Sequence, residues 1–257
     1  MKWKKLNIVC CLLPVLVAFI PALARCAGNT KINRGADSVQ RAPMPDKTLL
    51  AKFELLCKKM NNVGDNYTLA GEININDKTD PAGKMNHVGF LFCKQGDEFY
   101  YRLGNTVTMN EGGVYLFIDN HTKRIMISGK KQVVYDGGLK QLANLGANIQ
   151  SENYRMISKT TGDEQTISLI NEHHISCKQY SLTFNKHSMQ IKRLYMRLSN
   201  FNDPLRTDNE KIVDVAISRW DASADISKYP TKNSVIKNVN GDWKTAEGFK
   251  NYRLIKM

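Results

Sequence analysis

The sequence predicts a mainly β protein with a few helices, an α+β chain built as an antiparallel half-barrel covered by an N-terminal helix and a lid helix. Three observations carry this. Between Val88 and Ser128, four apolar runs (88–93, 99–103, 114–119 and 125–127), each about one strand long, are separated by polar, turn-forming breaks. Short breaks join antiparallel neighbours, because a parallel return needs a crossover of about a dozen residues. A second series of strand-like segments runs from Tyr154 to Leu198, and an amphipathic helical pattern precedes each series.

At the N-terminus, Lys2, Lys4 and Lys5 precede an uncharged apolar stretch over 8–20 and then Ala22-Leu23-Ala24. A basic start, an apolar stretch too short to span a bilayer comfortably and an A-x-A site describe a secretory signal peptide over 1–24, removed before Arg25. The other readings are an uncleaved anchor and a lipid anchor. Leu23-Ala24-Arg25-Cys26 is similar to a lipobox, with Arg25 where a small residue is expected, which makes Cys26 a candidate lipidation site. The formal charge of +13 includes the three signal lysines, leaving +10 for the mature chain. In an exported protein such a charge favours an anionic membrane surface or an acidic envelope protein, if it is more than a basic solvated surface. The cations are spread evenly, without the cluster of a nucleic-acid site, and no nucleic-acid partner is expected.

Of the six cysteines, Cys10 and Cys11 leave with the signal, and no C-x-x-C occurs. Export permits disulfides, and Cys57 with Cys93 is the pair to test; buried free thiols are the ordinary alternative for these and for Cys177.

Residues 25–45 are polar, with glycine and proline, and read as a flexible tether; 46–257 form one β-rich domain. Asp46 caps a helix to about Met60, with Leu49, Phe53, Leu56, Cys57 and Met60 on one stripe and Lys47, Lys52, Lys58 and Lys59 off it. A half-buried strand over 67–75 places Tyr67, Leu69, Gly71, Ile73 and Ile75 on one face and Thr68, Glu72 and Asn74 on the other. In the central meander Val88, Phe90 and Phe92 share a face, as do Phe99, Tyr101 and Leu103, and Val114, Leu116 and Ile118 or their neighbours. Leu139, Leu142, Leu145 and Ile149 make the stripe of the lid helix. The second meander runs 154–159, 165–170, 175–184 and 189–198, with one side of its last strand partly wet. After a break at 200–209 comes a strand over 211–220, an irregular stretch over 221–248, and a last strand over 249–255.

One family resemblance rests on an ordered set of residues. An apolar strand is followed by Lys94 and a tight turn, Phe99-Tyr100-Tyr101-Arg102, a glycine-bearing turn, Tyr115-Leu116-Phe117-Ile118-Asp119, then Lys123 and a β-branched strand. This resembles the LolA-like superfamily of periplasmic lipoprotein carriers, in detail over residues 66–128. Gln95-Gly96 stands where that family often has proline, and Tyr115 where it often has tryptophan. The resemblance implies an open half-barrel with a helical lid.

The sequence lacks the motifs of a nucleophile elbow, a zincin, a P-loop or a dinucleotide fold, and no catalytic residue, metal ligand or cofactor is expected. Glu172-His173-His174 is the densest titratable cluster, but adjacent strand residues point apart and suit a shared metal poorly. The expected function is non-catalytic: a monomeric periplasmic or outer-membrane-associated protein holding a lipid or lipoprotein acyl chains. The candidate lining is Leu69, Ile73, Phe90, Phe92, Phe99, Tyr101, Leu116 and Ile118, gated by Leu139, Leu142, Leu145 and Ile149. The alternative is a structural or protein-binding envelope module whose sheet is filled by its own side chains.

Overall fold

The computed structural model describes residues 46–61, 64–129, 152–200 and 202–257. The signal, the tether, Cys26 and the lid segment at 139–149 lie outside them. The described residues fall into two compact units: 46–61, 75–84 and 152–214 in the first, 64–74, 85–129 and 215–257 in the second.

In the first unit, helix α1 (Lys47–Asn61) starts where Asp46 accepts the Thr48 N–H at 2.7 Å, the capping expected of an aspartate there. Strands β7 (Arg155–Thr161), β8 (Glu164–Ile170), β9 (Cys177–Asn185) and β10 (Ile191–Leu198) pair in antiparallel sequence order. Their register stacks Leu169 beside Tyr180 and Leu182 beside Leu194. The stripe of α1 covers that face: the Phe53 ring meets Tyr180 edge-on at 5.9 Å, and Phe53, Leu56 and Cys57 are buried. The opposite face carries a hydroxyl ladder, with Thr166 and Thr183 at 2.8 Å and Ser168 and Ser181 at 2.7 Å.

In the second unit the central meander has five strands rather than the four apolar runs of the sequence: β2 (Met85–Gln95), β3 (Glu98–Leu103), β4 (Thr106–Glu111), β5 (Val114–Asp119) and β6 (Arg124–Gly129). The missed strand is β4. Its side chains alternate between small polar groups and Val107 and Met109, so it forms no apolar run. Gly112 and Gly113, at φ 53° and 78°, make the two-residue turn into β5 with the backbone twist that hairpins favour.

The stretch after β11 (Lys211–Asp221) is more ordered than expected. It forms a 3-10 turn at Ile226–Lys228, helix α2 (Lys232–Val235), a hairpin of β12 (Ile236–Val239) and β13 (Asp242–Thr245), and β14 (Arg253–Lys256). Asn240 and Gly241, both with positive φ, turn the hairpin. The last strand is shorter than expected, because Glu247–Phe249 is a 3-10 turn, and it pairs parallel with β6.

With β1 (Asn66–Asp77), the order β14-β6-β5-β4-β3-β2-β1-β11-β10-β9-β8-β7 makes one twelve-stranded sheet that does not close into a barrel. Strands β1 and β11 each run through both units.

Candidate functional site

The pairing in the second unit sorts its meander into two faces. Phe90 lies opposite Leu103, Phe92 opposite Tyr101, Tyr101 opposite Thr108, and Thr108 opposite Phe117. Side chains alternate along each strand. Phe90, Phe92, Phe99, Tyr101, Leu103, Tyr115 and Phe117 therefore share one face, with Thr108 and Asn110 as its central polar members and Lys94, Thr106 and Asp119 at the strand ends.

Tyr100, Met109, Leu116, Ile118, Ile125 and Ile127 share the other. There they form a core cluster with Val235 and Ile236, with Ile226, Trp243 and Leu254 packed against it. The Tyr229 ring stacks on Tyr100 at 4.9 Å and 10°. The chain's own C-terminal segment fills this face. Leu116 and Ile118, expected beside Phe92 and Tyr101, belong instead to the filled side.

The aromatic face is continuous. Ring centroids are 5.4 Å apart for Tyr67 and Phe92, 5.8 Å for Phe92 and Phe99, 6.0 Å for Phe92 and Tyr101, and 6.5 Å for Phe99 and Tyr115. Among the described residues of this unit, these ring contacts run only from strand to strand. Leu69 and Ile73 follow Tyr67 by alternation along β1. Thr68 turns the other way: its hydroxyl donates to the Ser223 carbonyl at 3.0 Å and faces the Cys93 sulfur at 3.7 Å. The wall is shielded from water, with Phe92 4% and Tyr115 8% exposed. Arg102 and Arg124, which follow meander strands, are exposed.

The structure thus brings together Phe90, Phe92, Phe99 and Tyr101 of the expected lining, adds Leu69 and Ile73 along β1, and separates Leu116 and Ile118. Leu139, Leu142, Leu145 and Ile149 lie outside the described residues. Tyr67, Tyr115 and Phe117 are additional members of the face. A two-residue turn pairs the residues that flank it. Counting through Gly104-Asn105 and Gly112-Gly113 would have placed Tyr115 and Phe117 beside Asn110 and Thr108, and so beside Tyr101.

Of the two alternatives for the cysteines, the structure has the buried free thiol at Cys57, Cys93 and Cys177 and no bond between Cys57 and Cys93. Cys57 lies on the α1 stripe against the second meander, and Cys93 sits beneath Thr68. Burial pushes the Cys57 and Cys177 thiols up to about 12. Iodoacetamide at pH 8 should leave both unmodified in the native protein and alkylate both once urea unfolds it, read by peptide mass spectrometry. Native labelling of either residue would contradict this packing. In the unfolded chain these thiols titrate near about 8.5. Above that pH the unfolded chain loses protons that the folded chain keeps, so stability falls as pH rises.

His173 is exposed and His174 buried. The backbone N–H groups of Ser176 and Cys177 donate to His174 Nδ1 at 3.2 and 3.0 Å. Ser176 Oγ is 3.2 Å from the same nitrogen, and Nε2 is 3.2 Å from Glu152 Oε2. This row of serine, histidine and carboxylate resembles a nucleophile with its base. The Nδ1 lone pair is already engaged by two backbone donors, however, so the row acts as a lock on the turn before β9. The sequence flags His174 but not Glu152, because that partner lies 22 positions away.

The class these observations define is an α+β protein on one large, open, mainly antiparallel sheet. No helix among the described residues is long and apolar enough to cross a membrane. No family model matches the chain, and no curated protein does.

Among solved structures, the chain is similar to a LolA superfamily protein from Nitrosomonas europaea, at 12% identity and a TM-score of 0.28, over 70% of this chain and 97% of that one. It is also similar to an uncharacterized conserved protein from Thermus thermophilus, at 8% identity and a TM-score of 0.36, over 81% and 99% of the two chains. A DUF1329 family protein from Desulfovibrio piger matches at 10% identity and a TM-score of 0.25, over 69% and 93%. With these scores, the architecture rests on the strand pairing itself.

Proposed function

We propose that this is an exported, non-catalytic binding protein that holds a lipid or the acyl chains of a lipoprotein against the aromatic face of its central meander. The supporting observation is the different treatment of the two faces. One is closed by Val235, Ile236 and their neighbours from the C-terminal segment. The other is a continuous aromatic wall from Tyr67 through Phe92 and Phe99 to Tyr115.

Burying an acyl chain yields about 0.8 kcal/mol per methylene, so a dozen methylenes supply roughly 10 kcal/mol before the cost of association. The +10 charge expected of the mature chain would favour approach to anionic headgroups, and the signal-like N-terminal pattern supports a periplasmic or outer-membrane-associated location.

The low exposure of the wall favours a second reading, an envelope module that fills its own sheet and takes no ligand. Titration with a fluorescent twelve-carbon fatty acid separates the two. Saturable one-to-one uptake is expected, weakened at least tenfold by Phe92→Ala. Leu116→Ala, on the filled face, should lower the melting temperature yet leave affinity within about twofold. If the protein takes up no probe where a known lipid binder saturates, the carrier reading fails and the self-filled module stands.

A further inference from the structure

One group in the aromatic wall is chemically out of place. The Tyr101 ring packs edge-on against Phe92, 6.0 Å away at 72°, and the residue is 6% exposed. Its hydroxyl has no hydrogen-bond partner among the described residues and is not wholly shut off from water. Buried tyrosine hydroxyls usually find one. Here Tyr154 donates to the Cys177 carbonyl at 2.5 Å and Tyr252 to Asn120 Oδ1 at 2.8 Å.

The residue opposite Tyr101 on β4 is Thr108, half-buried, whose hydroxyl is likewise without a partner among the described residues. Of the other polar side chains on this face, Asn110 donates to the Asp97 carbonyl at 2.9 Å, Thr106 to the Leu103 carbonyl at 2.9 Å and Lys94 to Asp65 Oδ1 at 2.7 Å. The wall therefore holds one polar notch, and the notch offers an O–H. Burial alone raises the Tyr101 phenol well above its ordinary value. The hydroxyl keeps its proton across the physiological range, so it stays a donor.

We propose that the Tyr101 hydroxyl donates a hydrogen bond to the carbonyl oxygen of a bound acyl group, so that the site recognises the polar end of its guest as well as the chain. This rests on the acyl-binding reading above and adds the chemical class: the guest carries a carbonyl, as a free fatty acid or as an acyl ester. An apolar guest without an acceptor would cover the donor and leave it unmet, a state that costs more than the bond itself contributes.

The test compares wild type with Tyr101→Phe, which keeps the ring and removes the hydroxyl. Three ligands of equal chain length compete against the fluorescent fatty acid: decanoic acid, methyl decanoate and decane. The variant should bind the carbonyl ligands about three- to tenfold more weakly, as expected for one lost hydrogen bond, and decane within twofold of wild type. Loss confined to decanoic acid identifies a free carboxyl as the partner, and loss for both identifies the ester carbonyl as sufficient. Equal loss for all three ligands, or no loss for either carbonyl ligand, overturns the proposal while acyl binding stands. If wild type binds none of the three, both fail. A melting temperature within a degree of wild type shows that the change acts at the site.

Discussion

Gly71→Ala should lower the melting temperature by about 10 °C or prevent folding. A Cβ at this position would lie 1.9 Å from the backbone carbonyl oxygen of Ala216 and 3.0 Å from Phe90 Cε1. Strand β11, which carries Ala216, is the sheet neighbour of β1. Its carbonyl cannot retreat as a flexible side chain would; the strands must part, and the ladder parts with them. Overpacking costs typically about 1–3 kcal/mol and more where backbone must move, which at about 2–4 °C per kcal/mol for a chain of this size gives the stated shift. Gly89→Ala is the control: it lies on β2, exposed, with nothing within 4 Å of an added Cβ. It should melt within about 2 °C of wild type. If both variants melt together, β1 and β11 do not approach as closely as the structure places them.

Removing the Glu210 carboxylate should cost about 3–5 kcal/mol, the usual cost of stranding a buried charge. Lys178 is 1% exposed along its side chain, and its Nζ reaches Glu210 Oε1 at 2.9 Å, itself 7% exposed. Lys178 enters the interior because β9 bulges there: Arg197 pairs with Gln179 and Leu198 with Cys177, leaving Lys178 as the extra residue. Glu210→Ala strands it with no anion beside it. Lys178→Met is expected to be milder, because Glu210 keeps Arg197, whose Nε is 3.4 Å from its other oxygen. Arg197 in turn pairs with Glu172. Urea midpoints with unchanged slopes would give the order. If Lys178→Met proves the costlier change, the buried lysine is not what the carboxylate serves.

Much of the secondary structure is legible in short windows of sequence. The Asp46 cap, the Phe53-Leu56-Cys57 stripe and the hairpin turns depend on contacts within a few residues, and each stands where the local pattern puts it. Strand β4 escapes because Thr106, Thr108 and Asn110 interrupt any apolar run, although Gly104-Asn105 ahead of it is a turn signal. That omission also hides the sorting of the meander, since which of Tyr115 or Leu116 lies beside Tyr101 depends on counting through both glycine turns. The hairpin of β12 and β13 was hidden in a stretch with few apolar residues, although Asn240-Gly241 is itself a strong hairpin signal.

By itself, the sequence determined an open, mainly antiparallel sheet with a capped helix, because alternation, caps and turn residues act over a few positions. Only the tertiary structure decided which meander face the C-terminal segment covers. That face is chosen by Val235, Ile236 and Leu254, which arrive about 110 to 140 residues after the strands they cover. Both faces of β5 are apolar, and local pattern cannot tell a face awaiting the chain's own tail from one lined with aromatic rings on the opposite side.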